Sequence, residues 1–279
     1  MKEGTPLAEK LRSGGFVVMA EIAPSLSDAA HAVESAPQAP DALVVSADGG
    51  VSPLALSTLL ANAGREAVLT VLTRDRNRIA LLSDIRGAAL LGVRSVLCRT
   101  GDHQSLSASP EAGGAYDIDP VQLIQLARNG GNGSGPLLLG AEAFPYLRPR
   151  ELAIIDTRKK IAAGADFLVT PPVFDLDGFR EWMAALRDEG LPQRVAVLAG
   201  VQPLLSAEQA ADLRKRRVNI PDALVSRLTG SSNAAAEGVA ICAEIVAQLK
   251  GIEGVRGLYI LASGGPDIVD QLIQKAAVA

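Results

Sequence analysis

Aromatic residues are scarce in this sequence: five Phe, three Tyr and one Trp among 279 residues, or 3%, although 48% of the chain is hydrophobic. The core must therefore be built of Ala, Val, Leu and Ile, and so apolar a chain suits one large α/β domain spanning 1–279 better than two small ones. Cysteine is nearly missing too. Cys98 and Cys242 alone cannot make a disulfide scaffold or a thiolate zinc site, and their separation matches no ligand pattern, so both are expected reduced and buried with no metal bound. Positive charge is in deficit, with 27 Lys and Arg against 31 Asp and Glu for a formal net charge of -4. The cations that non-specific nucleic-acid binding needs are lacking, and the basic residues must act locally. Long apolar runs are absent as well: no stretch reaches the roughly 20 residues of a membrane span. "MKEGTPLAEKLRSGG" has no signal-peptide core, so a cytoplasmic protein with neither membrane nor nucleic-acid partner is expected.

What is present is a series of short apolar runs. Eight of them, Phe16–Ala23, Ala42–Ala47, Ala67–Thr73, Ser95–Cys98, Leu137–Ala141, Phe167–Thr170, Val195–Ala199 and Gly257–Leu261, are rich in Val, Ile and Leu without strict polar alternation. Such runs mark strands covered on both faces. Helical stretches fall between them, among them Pro53–Ala63, Asn77–Leu91, Arg150–Ala163, Asp177–Glu189, Ala207–Arg216 and Ala234–Lys250. Right-handed crossovers repeated eight times close most economically into a (β/α)8 TIM barrel, with an open doubly wound sheet as the competitor. "ARNGGNGSGP" reads as a loose turn and "SLSASPEAGGAYD" as a longer functional loop.

The strand ends carry the chemistry. "MAEIAP" supplies Glu21, "VVSADGG" Asp48, "VLCRTGDH" Asp102 and "GAEAFPY" Glu142. In a barrel these ends meet at one mouth, so the four acids would share a cavity walled by Phe144, Phe174 and Tyr259. Like charges in a half-dry pocket raise one another's pKa, which would leave at least one carboxyl protonated near neutrality. Glu21, flanked by apolar residues, is the candidate acid. Gly101-Asp102 alone could equally be an ordinary turn, and Arg74 to Arg78 a solvated helix start.

Taken in order, "AEIAP", "TRDRNRIALLSDIRGAALLGVRSVLCRTGDH", "AFPYLRP", "KKIAAGADFLVTPPVFD", "AGVQPL", "NIP" and "GVRGLYIL" resemble the methylenetetrahydrofolate reductase family, in its short bacterial form, from about Val17 to about Leu261. The resemblance implies an FAD-containing barrel that passes a hydride from NAD(P)H through flavin to the methylene carbon of a bound folate, the route to methyl groups for methionine biosynthesis. It implies that Glu21 assists protonation of the folate nitrogen, so that the five-membered ring opens, and that Asp102, after Gly101, lies beside flavin and pterin. Thr70, Arg99 and Phe144 fall on cofactor-lining positions, and Asp156, Lys159 and Lys160 on positions that hold the FAD phosphates and sugar. Asp48, Thr170, Phe174, Gln202 and Tyr259 fall on the substrate side. The expected partners are the folate, an electron-transfer subunit if no nicotinamide serves, and further copies of the chain in a homo-oligomer.

Three positions depart from the family pattern, all on the substrate side. Pro171 stands where a Gln usually faces the folate and nicotinamide rings, Ala207 near a stacking aromatic, and Tyr259 near a His. Proline offers neither a side-chain hydrogen bond nor a backbone N–H. Two other readings therefore stay open: a non-reducing pterin- or flavin-binding partner subunit, and a methylfolate-binding methyltransferase.

Overall fold

Local chemistry starts and stops the elements. Helix α1 (Pro6–Arg12) opens with Pro6 after the N-cap Thr5, whose hydroxyl accepts from the Ala8 N–H. Strands β1 (Val17–Ile22) and β2 (Ala42–Val45) follow, then α2 (Pro53–Asn62), β3 (Ala67–Leu72), α3 (Arg78–Leu90) and β4 (Ser95–Arg99). Next come α4 (Pro120–Gly130), β5 (Leu138–Glu142), α5 (Arg150–Ala163), β6 (Phe167–Pro172), α6 (Leu176–Asp188) and β7 (Ala196–Val201). The chain ends with α7 (Ala207–Lys215), α8 (Asp222–Gly230), α9 (Ala234–Lys250), β8 (Val255–Ile260) and α10 (Pro266–Ala276). Asn77, Asp175, Ser206 and Asn233 each cap the following helix by accepting a backbone N–H three residues on. Gly164 ends α5 at φ 108°, a left-handed conformation that costs glycine little. This computed structural model describes residues 5–278 apart from 26, 29, 30, 48, 49, 107, 108, 131–135, 217, 262 and 263. The five residues of "ARNGGNGSGP" before its Pro, 131–135, and part of "SLSASPEAGGAYD" thus lie outside the described residues.

All eight strands are parallel and hydrogen-bond in chain order, β8 closing on β1. The fold is a (β/α)8 TIM barrel, and each expected strand is found to within two residues at either end. It has two apolar layers. Val17, Met19, Val44, Val68, Leu97, Phe167, Val169 and Leu198 fill the barrel itself, and α1 plugs its N-terminal end with Leu7 and Leu11. The larger layer lies between strands and helices. With so few aromatic rings, small residues make room for the one at the centre: a methyl group on Gly140 would overlap the Phe167 ring.

Candidate functional site

Strand alternation decides what lines the barrel. Val17 and Met19 point inward on β1, so the next position of that parity is Glu21. The same count leads from Leu97 to Arg99 on β4 and from Leu138 to Glu142 on β5, while Tyr259 already faces inward on β8. At the carboxyl ends the aliphatic filling therefore gives way to a polar layer. Arg99 donates from Nε and Nη2 to the two oxygens of Glu142, each at 3.1 Å. The Tyr259 hydroxyl donates to Glu21 Oε2.

The electrostatics of this layer centre on Arg99 and Tyr259. Burial works against the Arg99 cation, but Glu142, Tyr259 and Glu21 outweigh it and hold the guanidinium pKa above its ordinary value. Burial first, and then the Glu21 charge, push the Tyr259 phenol well above its usual range, so it remains a donor near neutrality. Glu142 pairs with the Arg99 cation in fork geometry, and Glu21, within the field of the same cation, accepts from the Tyr259 phenol. Two carboxylates in different environments are the setting in which one can be structural and the other can move a proton.

The remaining candidates distribute around this layer. Gly101 takes φ 88° and turns the chain out of β4, and the Asp102 carbonyl accepts from Arg74 at 2.8 Å. The Asp102 carboxylate pairs with Arg216 at 2.8 Å, both side chains about half exposed. Arg216 follows α7, so the pair joins the β4 and β7 sides of the mouth. It was missed in the sequence because its partner stands 114 positions away. Thr70 is buried on β3, and Phe144, beyond β5, is 37% exposed. Asp48 lies outside the described residues.

Three expectations need correcting. Lys160 is not an open cation for a diphosphate. It is 4% exposed, donates to Asp156 at 2.5 Å and to the Glu142 carbonyl at 2.7 Å, and lies 5.1 Å from the Phe144 ring centroid. Its charge is spent tying α5 to the end of β5, while Lys159 beside it is exposed. Thr170 is fully buried, its hydroxyl donating to the Pro171 carbonyl and accepting from the Gly200 N–H, both at 2.9 Å. That hydroxyl holds the β6–β7 junction, where the ladder shifts register between Val169 and Pro172 because Pro171 has no N–H to donate. Phe174 does not wall the mouth either: past the end of β6 its ring turns into the layer between barrel and helices, where it is 5% exposed.

Whether a flavin suits this mouth can be asked of its polar atoms. Thr70 Oγ1 and Thr73 Oγ1 near the end of β3, and Gln202 Oε1 just beyond β7, are buried without a hydrogen-bond partner among the described residues. Orphaned buried polar atoms call for a ligand or water. A planar heterocycle with donors and acceptors on its edge fits them, and the open Phe144 face offers apolar cover. Arg148, on the same loop as Phe144, is exposed and has no ion-pair partner among the described residues, a cation that the sequence analysis passed over. Among the described residues no group of three His, Cys, Asp or Glu could hold a metal, and no helix is long and apolar enough to cross a membrane.

Residues 44–273 match the family described as methylenetetrahydrofolate reductase. The chain belongs to the methylenetetrahydrofolate reductase family. The matched span begins within β2, so β1, with Glu21, precedes it. Methylenetetrahydrofolate reductase 2 of Saccharomyces cerevisiae is 26% identical over 170 residues, covering 56% of this chain and only 27% of the yeast protein. Among solved structures, a Clostridium thermocellum protein that binds two copies of 5-methyl-5,6,7,8-tetrahydrofolic acid has a TM-score of 0.69 at 16% identity, with 97% of each chain covered. A 2,3-dimethylmalate lyase of the PEP mutase/isocitrate lyase superfamily reaches a TM-score of 0.55 at 15% identity over 95% of this chain and 78% of its own. At such identities these structures establish the barrel alone.

Proposed function

We propose that this family member interconverts 5,10-methylene- and 5-methyltetrahydrofolate at the C-terminal mouth of the barrel, with FAD as its cofactor. One observation carries this reading: Glu21, hydrogen-bonded by Tyr259, stands beside the charge-matched Arg99–Glu142 pair. A Clostridium thermocellum protein of the same fold binds 5-methyl-5,6,7,8-tetrahydrofolic acid, which supports a folate as the ligand of this barrel.

The Glu21 carboxyl holds the proton and gives it to the folate nitrogen as the bond from that nitrogen to the methylene carbon breaks. The carboxylate left behind keeps the Tyr259 donor and faces the Arg99 cation, which stabilise its charge. A bound reduced flavin would supply the hydride that the methylene carbon takes up. Thr70 and Gln202 would hold ring edges, Phe144 would cover an apolar face, and Asp102 would lie beside both rings. Arg148, with Lys159, would replace Lys160 as the cation for the diphosphate. Nicotinamide or a partner subunit would supply the electrons, with methyl-group supply for methionine biosynthesis as the outlet.

Absorbance of the purified protein at flavin wavelengths, followed by titration with 5-methyltetrahydrofolate, tests the proposal. Bound or readily loaded flavin together with saturable folate binding is expected. Folate binding without flavin uptake would move the assignment to the non-reducing pterin-binding reading. The observation favouring that second reading is the loss of polar groups at Pro171 and Thr170, one by sequence and one by commitment to the strand junction.

A further inference from the structure

A cavity of about 430 Å³ lies at the opposite, N-terminal end of the barrel. Arginines from five separate elements line it: Arg12 at the end of α1, Arg94 ahead of β4, Arg128 on α4, Arg194 ahead of β7 and Arg256 on β8. Among the described residues Asp166 is the one acidic residue in the lining, and it is committed, accepting from Arg128 at 2.6 Å and from the Leu139 N–H at 2.8 Å. Arg256 donates to the Leu11 carbonyl at 2.8 Å, while its Nε is buried with no partner among the described residues. Arg12 and Arg194 are exposed and have no ion-pair partner among the described residues.

This concentration runs against the composition of the chain, whose formal net charge is -4. Five guanidiniums around one cavity repel one another; Arg128 and Arg256 tie neighbouring elements together through Asp166 and the Leu137, Gly164 and Leu11 carbonyls, but no such contact among the described residues accounts for Arg12 and Arg194. Arg is also the side chain whose planar fork matches the oxygens of phosphoryl groups in pairs. The cavity volume falls within the usual range for small-molecule sites. Its walls include Pro136, Leu137 and Pro192, which would cover an organic portion.

We infer that this N-terminal cavity is a second ligand site, for a small phosphorylated anion carrying two or more negative charges, separate from the folate mouth. The site rests on residues the proposed reaction does not use, so it stands whether or not the protein reduces folate.

Inorganic pyrophosphate is the probe, titrated calorimetrically into the full-length protein with and without saturating 5-methyltetrahydrofolate. One pyrophosphate per chain is expected, bound equally well with folate present. Because Arg12 and Arg194 are surface side chains, the double variant Arg12→Glu, Arg194→Glu should fold, which circular dichroism checks, and should bind pyrophosphate at least about tenfold more weakly. Chloride or acetate at the same ionic strength should not compete. Unsaturable binding by the wild type, equal affinity in the double variant, or full competition by chloride would each overturn the inference. A parallel titration with citrate separates phosphoryl from carboxylate chemistry: citrate binding as tight as pyrophosphate would refute the phosphorylated class.

Discussion

Removing the Glu142 carboxylate should expose how dry the polar layer is. Arg99 and Glu142 are 17% and 15% exposed, so truncating Glu142 to Ala leaves a guanidinium inside the barrel with most of its hydration gone. Breaking a buried pair in this way typically costs about 3–5 kcal/mol. A Coulomb estimate agrees: two unit charges about 4 Å apart at an effective dielectric near 20 interact by about 4 kcal/mol. Glu21 remains near enough to hold up the Arg99 cation, which places the expected loss at the lower end, about 3 kcal/mol. For a chain of this size that corresponds to a fall in Tm of about 6–12 °C. Urea unfolding and calorimetry would read both values. The double variant Arg99→Met, Glu142→Leu removes both charges together and should lie within about 1 kcal/mol of wild type, since an apolar pair of similar volume can replace a buried ion pair. A Glu142→Ala protein as stable as wild type, or a double variant worse than the single, would refute the reasoning.

Gly140→Ala should destabilise the protein by about 1–3 kcal/mol in the same unfolding assay, because its methyl overlaps the Phe167 ring; wild-type stability would contradict the placement of that ring. The Cys98 and Cys242 thiols are pushed from the usual 9.0 up to about 12 by burial. Native protein should resist a thiol reagent near neutrality and react twice once unfolded. Since the folded pKa values are raised, the contribution of the neutral thiols is complete below about pH 9 and is lost as pH rises toward about 12, so stability should fall across that window. Pro171→Gln restores a side-chain amide at the mouth and should improve folate affinity or turnover with flavin content unchanged, measured by titration and steady-state kinetics. Loss of both in that variant would mean a differently shaped pocket.

The barrel was legible because burial on both faces leaves strands as uninterrupted Val, Ile and Leu runs, and turn residues bound them. The inward polar layer was legible in part. Glu21, Glu142 and Tyr259 could be assigned to the mouth from strand ends, and strand parity then aims the first two inward. What the sequence could not supply was pairing. That Arg99 answers Glu142 and Arg216 answers Asp102 depends on the register in which β5 pairs with β4 and on a loop 114 positions away. Lys160 misled for a related reason. The family resemblance set it against the FAD phosphates as a free cation, and only the packing of α5 against β5 shows it buried, paired with Asp156 and bound to the Glu142 carbonyl. Phe174 looked like a wall because it follows a strand end, yet a chain leaving β6 past the Pro171 irregularity could bury that ring on either side of the rim.

The central claim is that Glu21 delivers a proton to a folate held at the barrel mouth. It is tested most directly by single-turnover oxidation of flavin-loaded, prereduced protein on mixing with 5,10-methylenetetrahydrofolate, wild type against Glu21→Gln. The amide keeps the shape and an acceptor for Tyr259 but has no proton of suitable acidity, so the rate should fall by about two orders of magnitude or more. Affinity for 5-methyltetrahydrofolate and flavin content should stay within a few-fold of wild type. Unchanged turnover in Glu21→Gln would contradict the account.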